Sequence, residues 1–239
     1  MKNYNFILSS IKKNFFINLL LLFKLFYFRK LNFIEKKYNK KFLEEFKKIY
    51  SDNVKFTSDF FSYNIKYLVR IFYKYKFINK DLNILEIGSY EGRSTIFFLT
   101  VLKKSKIQCV DMFQPSEELQ EHDFEKVFKN FMSNINQYKD RVKVFRGKSD
   151  DFFDKNKEKD FYDLIYIDGN HHYEYVLRDA ENAFKALKKN GIMIFDDLMW
   201  KYYDDVNHNP IGAIKEFIAK NYFKLKIISI SYQIAILKT

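Results

Sequence analysis

The chain has 239 residues, room for one α/β domain plus an extension, and its 47% apolar and 30% charged content excludes a disordered, collagenous or mucin-like polymer. Its single cysteine, Cys109, excludes a disulfide framework and a Cys-rich metal centre and points to a reducing compartment. The net charge of +12 is uneven: residues 1–56 carry 13 of the 42 Lys and Arg and 4 of the 30 Asp and Glu, a balance of +9 that leaves only +3 for residues 57–239. The body therefore lacks the basic surface of a nucleic-acid-binding domain.

Residues 1–56 are expected to form a basic, apolar helical extension, and 57–239 the catalytic-sized domain. The longest uncharged stretch of the extension, Asn14 to Phe23, ends at Lys24 and is too short to span a bilayer. Lys24, Arg29 and Lys30 stand where a signal peptide would carry small cleavage-site residues, so a cytoplasmic location is expected. Leu19 to Phe28 is apolar nearly all round and needs a cover. The candidates are the protein body, a second subunit in a homodimer, or anionic lipid on the inner face of a membrane, each engaged through residues 1–31. The aromatic share of 20% comes with many Lys, Asn and Ile and only 6 Gly and 2 Pro, a coding bias and no indicator of function.

Helices are expected over Asn32–Tyr50 and Ser58–Tyr75, the second with N-cap chemistry at Thr57, Ser58 and Asp59. Strand and helix signals then alternate. Strands are expected at 83–87, 106–110, 142–145, 164–167 and 192–195, and helices at 94–102, 117–134 and 173–187. That rhythm means βαβ units and a parallel sheet covered on both faces. After a helix at 210–220, opened by Pro210, come two β-rich runs, 225–230 and 234–237, joined too closely to be anything but antiparallel.

Open sheets of this kind bind ligands at the carboxyl ends of their strands. The first strand runs into Leu85-Glu86-Ile87-Gly88-Ser89-Tyr90-Glu91-Gly92-Arg93-Ser94-Thr95. Gly88 permits close approach of backbone to ligand, Gly92 permits the turn, and Ser94 and Thr95 lie where first-turn N–H groups point outward. The second strand ends at Asp111, placed to accept ribose hydroxyls. The third runs into Gly147-Lys148-Ser149-Asp150, whose backbone and Ser149 hydroxyl can reach a base edge or form an ordinary turn. At the ends of the fourth and fifth strands stand Asp168 and Asp196-Asp197. Three like charges there call for a cation, and hard oxygen donors suit Mg²⁺ or another divalent ion. The bland alternative is that one carboxylate caps a helix and another is solvated. His171 and His172 follow Asp168 in the same loop.

The Glu-x-Gly-x-x-x-Gly spacing with Asp111 resembles the class I S-adenosylmethionine-dependent methyltransferases over residues 57–239. Tyr166-Ile167-Asp168-Gly169-Asn170-His171-His172-Tyr173 and Gly191-Ile192-Met193-Ile194-Phe195-Asp196-Asp197 are similar to the macrocin O-methyltransferase-like branch. The resemblance implies a Rossmann-like α/β fold with a seven-stranded sheet, mostly parallel, its last strand antiparallel. It implies S-adenosylmethionine on Glu86, Gly88, Ser89, Gly92, Ser94, Asp111, Ser149 and Asp168, and a divalent cation on Asp168, Asp196 and Asp197. It also implies His171 as general base, since Asn170 cannot serve, and a hydroxylated small molecule or saccharide as acceptor. Two other classes stay open: a nucleic-acid methyltransferase, disfavoured by the absence of an Asn-Pro-Pro-Tyr-like base clamp, and a non-catalytic binding protein, disfavoured by the retained carboxylates.

Overall fold

The computed structural model of the protein describes residues 15–35, 54–117 and 119–239. Contacts group the chain into two compact units, Ile34–Lys155 and Met1–Phe33 with Asn156–Thr239. The described helix of the N-terminal extension, α1 (Phe15–Glu35), includes Asn32–Glu35, so the expected helix at 32–50 falls partly within it and otherwise outside the described residues.

In the unit Ile34–Lys155, α2 (Ile65–Lys74) buries Ile65, Leu68, Val69, Ile71 and Phe72, a stripe at helical spacing. It starts later than the expected Ser58. Asp59 instead closes a preceding turn, its Oδ1 accepting the N–H groups of Phe61 at 3.2 Å and Ser62 at 2.9 Å. Then follow β1 (Asn83–Ile87), α3 (Arg93–Val101), β2 (Lys106–Asp111), α4 (Phe124–Ile135), β3 (Val142–Arg146) and α5 (Ser149–Lys155). Helix α4 also starts later than expected, because Asp123 caps it by accepting the Lys126 N–H at 3.1 Å. Helix α5 occupies a stretch whose composition reads as a turn. Strands β1 and β3 both run parallel to β2, with Ile87 opposite Val110 and Asp111 opposite Arg146.

The second unit holds β4 (Tyr162–Ile167), α6 (Tyr173–Ala186), β5 (Leu187–Phe195), α7 (Pro210–Lys220), β6 (Leu225–Ile230) and β7 (Ile234–Lys238). Strand β5 begins at Leu187, which periodicity assigns to the end of α6; a buried leucine fits either pattern, and pairing with Tyr162 decides for the strand. Strands β4 and β5 are parallel, and β7 is antiparallel to both β5 and β6. The expected seven-stranded, mostly parallel sheet is present, in the order β3-β2-β1-β4-β5-β7-β6. Ile84–Ile87 of β1 and Leu164–Ile167 of β4 are buried without alternation, as strands covered on both faces must be.

Candidate functional site

The loop from β1 to α3 is held from below by one carboxylate and from the side by another. Glu86 is fully buried, and its Oε2 accepts from the hydroxyls of Thr95 and Ser89 (3.0 Å) and from Cys109 Sγ (3.4 Å). Burial pushes this carboxyl above its ordinary range, against the opposing hydrogen bonds of Ser94, Thr95, Ser89 and Cys109. Asp111, at the end of β2, accepts the Ser89 N–H at 2.7 Å and the Tyr90 N–H at 2.9 Å on Oδ2, and the Phe113 N–H at 2.7 Å on Oδ1. Burial raises its carboxyl too, opposed by those same N–H groups.

Gly88 and Gly92 have φ of 83° and 81°, the left-handed region, and Gly92 opens α3 with Phe131 packed where a Cβ would stand. Glu86, Gly88, Ser89, Gly92, Ser94 and Asp111 thus form one connected turn. Glu86 acts beneath it as a support. Ser149 opens α5 two residues beyond Gly147, whose N–H is bonded to the Asp111 carbonyl at 2.9 Å. A carboxylate at a strand end, outward first-turn N–H groups and a side-chain-free approach suit a ribose and a polar chain end.

Sequence reasoning missed what fixes this loop from outside. Glu91 is buried, with Oε2 accepting the Thr57 N–H at 2.6 Å and Oε1 accepting Asn130 Nδ2 at 2.8 Å and the Thr57 hydroxyl at 3.1 Å. Asn134 Nδ2 donates to the Glu91 carbonyl at 2.9 Å, and its Oδ1 accepts the Lys55 N–H at 2.7 Å. The signal was present: two asparagines four apart on the buried face of an amphipathic helix need partners. Tyr90 hydroxyl meets His122 Nδ1 at 2.7 Å, bringing the 113–123 connection to the same loop.

In the second unit, Asp168, His171 and Asp197 each offer a ligand atom within 4.8 Å of the others. Asp168 directly follows β4, and so lies in this unit and not in the one that holds the other residues expected on the cofactor. His171 Nε2 is 2.8 Å from Asp197 Oδ2, and its ring stacks on Trp200 at 4.6 Å. Trp200 stacks in turn on Tyr202 at 5.5 Å, so the imidazole is held by packing as well as by its bond. Asp197 sits at φ 54°, a left-handed conformation unusual for a residue with a side chain.

Asp196 departs from the expected metal set. Its Oδ2 accepts from the Tyr166 hydroxyl and from Gln233 Nε2 at 2.9 Å, and its Oδ1 accepts the Asp197 N–H at 2.8 Å. The β strand ending there alternates sides, so consecutive aspartates cannot both face one way without a twist, and Asp196 takes the inward direction. Burial, then the Asp197 charge, push its carboxyl up to about 6. The same two influences, burial first and Asp197 next, raise the Tyr232 hydroxyl beyond its usual range. Gln233 and Tyr232 come from the turn between β6 and β7, a place no motif marks. His172, left without a role by sequence, packs edge-on against Tyr203 at 5.2 Å and stacks with His208 at 5.7 Å.

An uncharacterized protein of Acanthamoeba polyphaga mimivirus is 26% identical over 148 residues, 60% of this chain and 62% of that one; the chain spans less than two thirds of this curated relative. The O-methyltransferase from Bacillus cereus in complex with SAH has the same fold, with a TM-score of 0.55 at 20% identity over 82% of this chain and 90% of that one. MycE methyltransferase from the mycinamycin biosynthetic pathway, solved with Mg, SAH and mycinamycin VI, gives a TM-score of 0.53 at 16% identity over 76% of this chain and 50% of MycE. At these identities the likeness is one of fold. A family model described as a methyltransferase domain matches residues 85–198, the stretch from β1 to the turn after β5.

Proposed function

We propose that the chain transfers the methyl group of S-adenosylmethionine to a hydroxyl oxygen of a small molecule or saccharide, assisted by a divalent cation. The observation that carries the reading is the clustering of Asp168, His171 and Asp197 donor atoms within 4.8 Å, in a chain whose residues 85–198 match a methyltransferase-domain model. The likeness in fold to O-methyltransferases solved with SAH, and in one case Mg, supports it. The donor set fits the ion: two carboxylates on one short arc, with Asp197 locked by backbone conformation and by Tyr232, suit a hard cation such as Mg²⁺.

In this reading Asp168 and Asp197 hold the cation, which would lower the pKa of an acceptor hydroxyl. His171 accepts the proton at Nε2, the nitrogen 2.8 Å from Asp197 Oδ2, and Trp200 keeps the ring in one orientation for it. Asp111 and the first-turn N–H groups of α3 would hold the ribose and the methionine end of the cofactor, with the Gly88–Gly92 turn giving a close approach. The buried Glu86 and Glu91 keep that turn rigid before the cofactor arrives, which spares ordering cost at binding.

One observation favours a second reading. His171 offers a ring nitrogen within 4.8 Å of an oxygen of each carboxylate, so a borderline ion such as Zn²⁺ would recruit it as third ligand and leave no proton acceptor there. Methyl-labelled S-adenosylmethionine incubated with hydroxylated small molecules and saccharides, after EDTA and then with Mg²⁺ or Zn²⁺, tests both. Transfer restored by Mg²⁺ supports the proposal. Full transfer after EDTA removes the cation from the reading, and no calorimetric binding of S-adenosylmethionine removes the function.

A further inference from the structure

Helix α1 is apolar on two faces. Leu21, Leu25 and Phe28 recur at helical spacing and are buried, with the polar Asn18 buried beside them. The opposite stripe is also apolar: Phe16 is 83% exposed and Phe23 70%, with Leu19, Phe26 and Tyr27 exposed beside them. A helix facing water carries polar residues there. The patch extends beyond α1, since Tyr222, in the turn before β6, lines a groove of about 580 Å³ with Phe16, Leu20 and Phe23, and its neighbour Phe223 is 94% exposed. Single exposed aromatics are common in folded proteins, but a continuous patch marks a surface that something covers.

Charge selects the cover. Residues 1–34 contain six Lys and Arg and no Asp or Glu, and residues 222–239 contain three Lys and no Asp or Glu. Lys224 and Lys226 are exposed, and Lys24 lies close enough to Lys226 that the latter's charge, after partial burial, lowers the Lys24 ammonium. A second copy of the chain would meet this face through a twofold axis and set the same lysines against themselves. An anionic surface meets the same lysines favourably. No described helix is long and apolar enough to cross a bilayer, so the arrangement is an interfacial one.

We propose that α1 together with Tyr222 and Phe223 docks on an anionic lipid bilayer, the helix lying in the plane of the interface, aromatic rings among the acyl chains and lysines at the headgroups. This does not depend on the methyl-transfer reading.

Flotation of the full chain with vesicles of phosphatidylcholine alone, or mixed with phosphatidylglycerol, tests it. The protein should float with the mixed vesicles only and be released as salt shortens the screening length. The variant Phe23→Ser/Phe223→Ser should stay behind with its circular dichroism unchanged, and Lys224→Gln/Lys226→Gln should bind more weakly by roughly fivefold for each lysine. The lysine variant tests the same point on exposed side chains if the aromatic one misfolds. Equal flotation with both vesicle types, no flotation with either, or unchanged flotation of the variants overturns the proposal. So does a dimer on sizing that the aromatic variant dissociates while neither protein floats, which would assign the face to a second copy.

Discussion

Replacing Asp111 by Asn changes an acceptor into a donor at almost constant volume, so its effect can be worked from three distances. Oδ2 accepts from Ser89 at 2.7 Å and Tyr90 at 2.9 Å, and Oδ1 from Phe113 at 2.7 Å. Whichever way the amide turns, its NH₂ faces at least one of these N–H groups. The less costly orientation keeps Ser89 and Tyr90 and abandons Phe113. A buried donor left without an acceptor costs about 1–3 kcal/mol, and the two remaining bonds lose their charge assistance. Against this, burial already penalises the Asp111 charge, and Asn brings none to desolvate. The expected loss in unfolding free energy of the cofactor-free protein is therefore in the lower part of the range, about 1–2 kcal/mol at neutral pH. If the carboxylate also takes the cofactor ribose, S-adenosylmethionine affinity should fall about 5–150-fold. Urea unfolding and titration calorimetry read the two effects. Asp123→Asn is the control: its Oδ1 accepts one N–H as the cap of α4, an Asn oxygen serves as well, and stability should hardly change. The reasoning fails if Asp111→Asn leaves both the urea midpoint and the affinity unchanged, or if Asp123→Asn costs as much.

Gly92→Ala should destabilise by about 2–5 kcal/mol, from a left-handed alanine and from overpacking against Phe131 Cδ2 at 3.0 Å, and Phe131→Leu should recover only the packing share. Recovery of the whole loss would mean that backbone strain is absent. Asp197→Ala should weaken cation affinity, with activity partly restored at high Mg²⁺, whereas His171→Ala should leave cation binding nearly intact and cut turnover by about 10²–10⁴. If His171→Ala loses cation binding as Asp197→Ala does, the histidine is a ligand. Glu86 has its carboxyl raised by burial, so the folded state holds the proton more tightly than the unfolded one, whose value lies near 4.5. Its contribution to stability is present in full below that value and declines as pH rises through the folded value. Glu86→Gln should flatten that decline, read as the difference in urea midpoint between parent and variant across an acid-to-neutral series; parallel curves would refute it.

The sequence by itself determined the βαβ alternation, the glycine turn after β1, Asp111 at the end of β2 and the antiparallel tail. All of these follow from short-range patterns: period-two and period-3.6 burial, glycine where φ must be positive, and a connection too short for a parallel return. Element starts were less legible. Asp59 and Asp123 were candidate caps by residue type, but which turn each closes depends on the neighbouring chain. What only the tertiary structure decided are the directions of side chains and their long-range partners. Asp196 and Asp197 are adjacent letters with equal claims on a cation, yet Gln233, far along the chain, and Tyr166 draw Asp196 inward, while Asp197 in its left-handed conformation meets His171. Glu91 reads as a loop residue until Thr57, Asn130 and Asn134 close around it. The insertion of β7 between β5 and β6 is likewise invisible in a hairpin's sequence, because both of its strands are apolar enough to lie inside. Hydrogen bonds between residues distant in sequence leave no periodic trace, so composition and spacing can nominate such residues but cannot pair them.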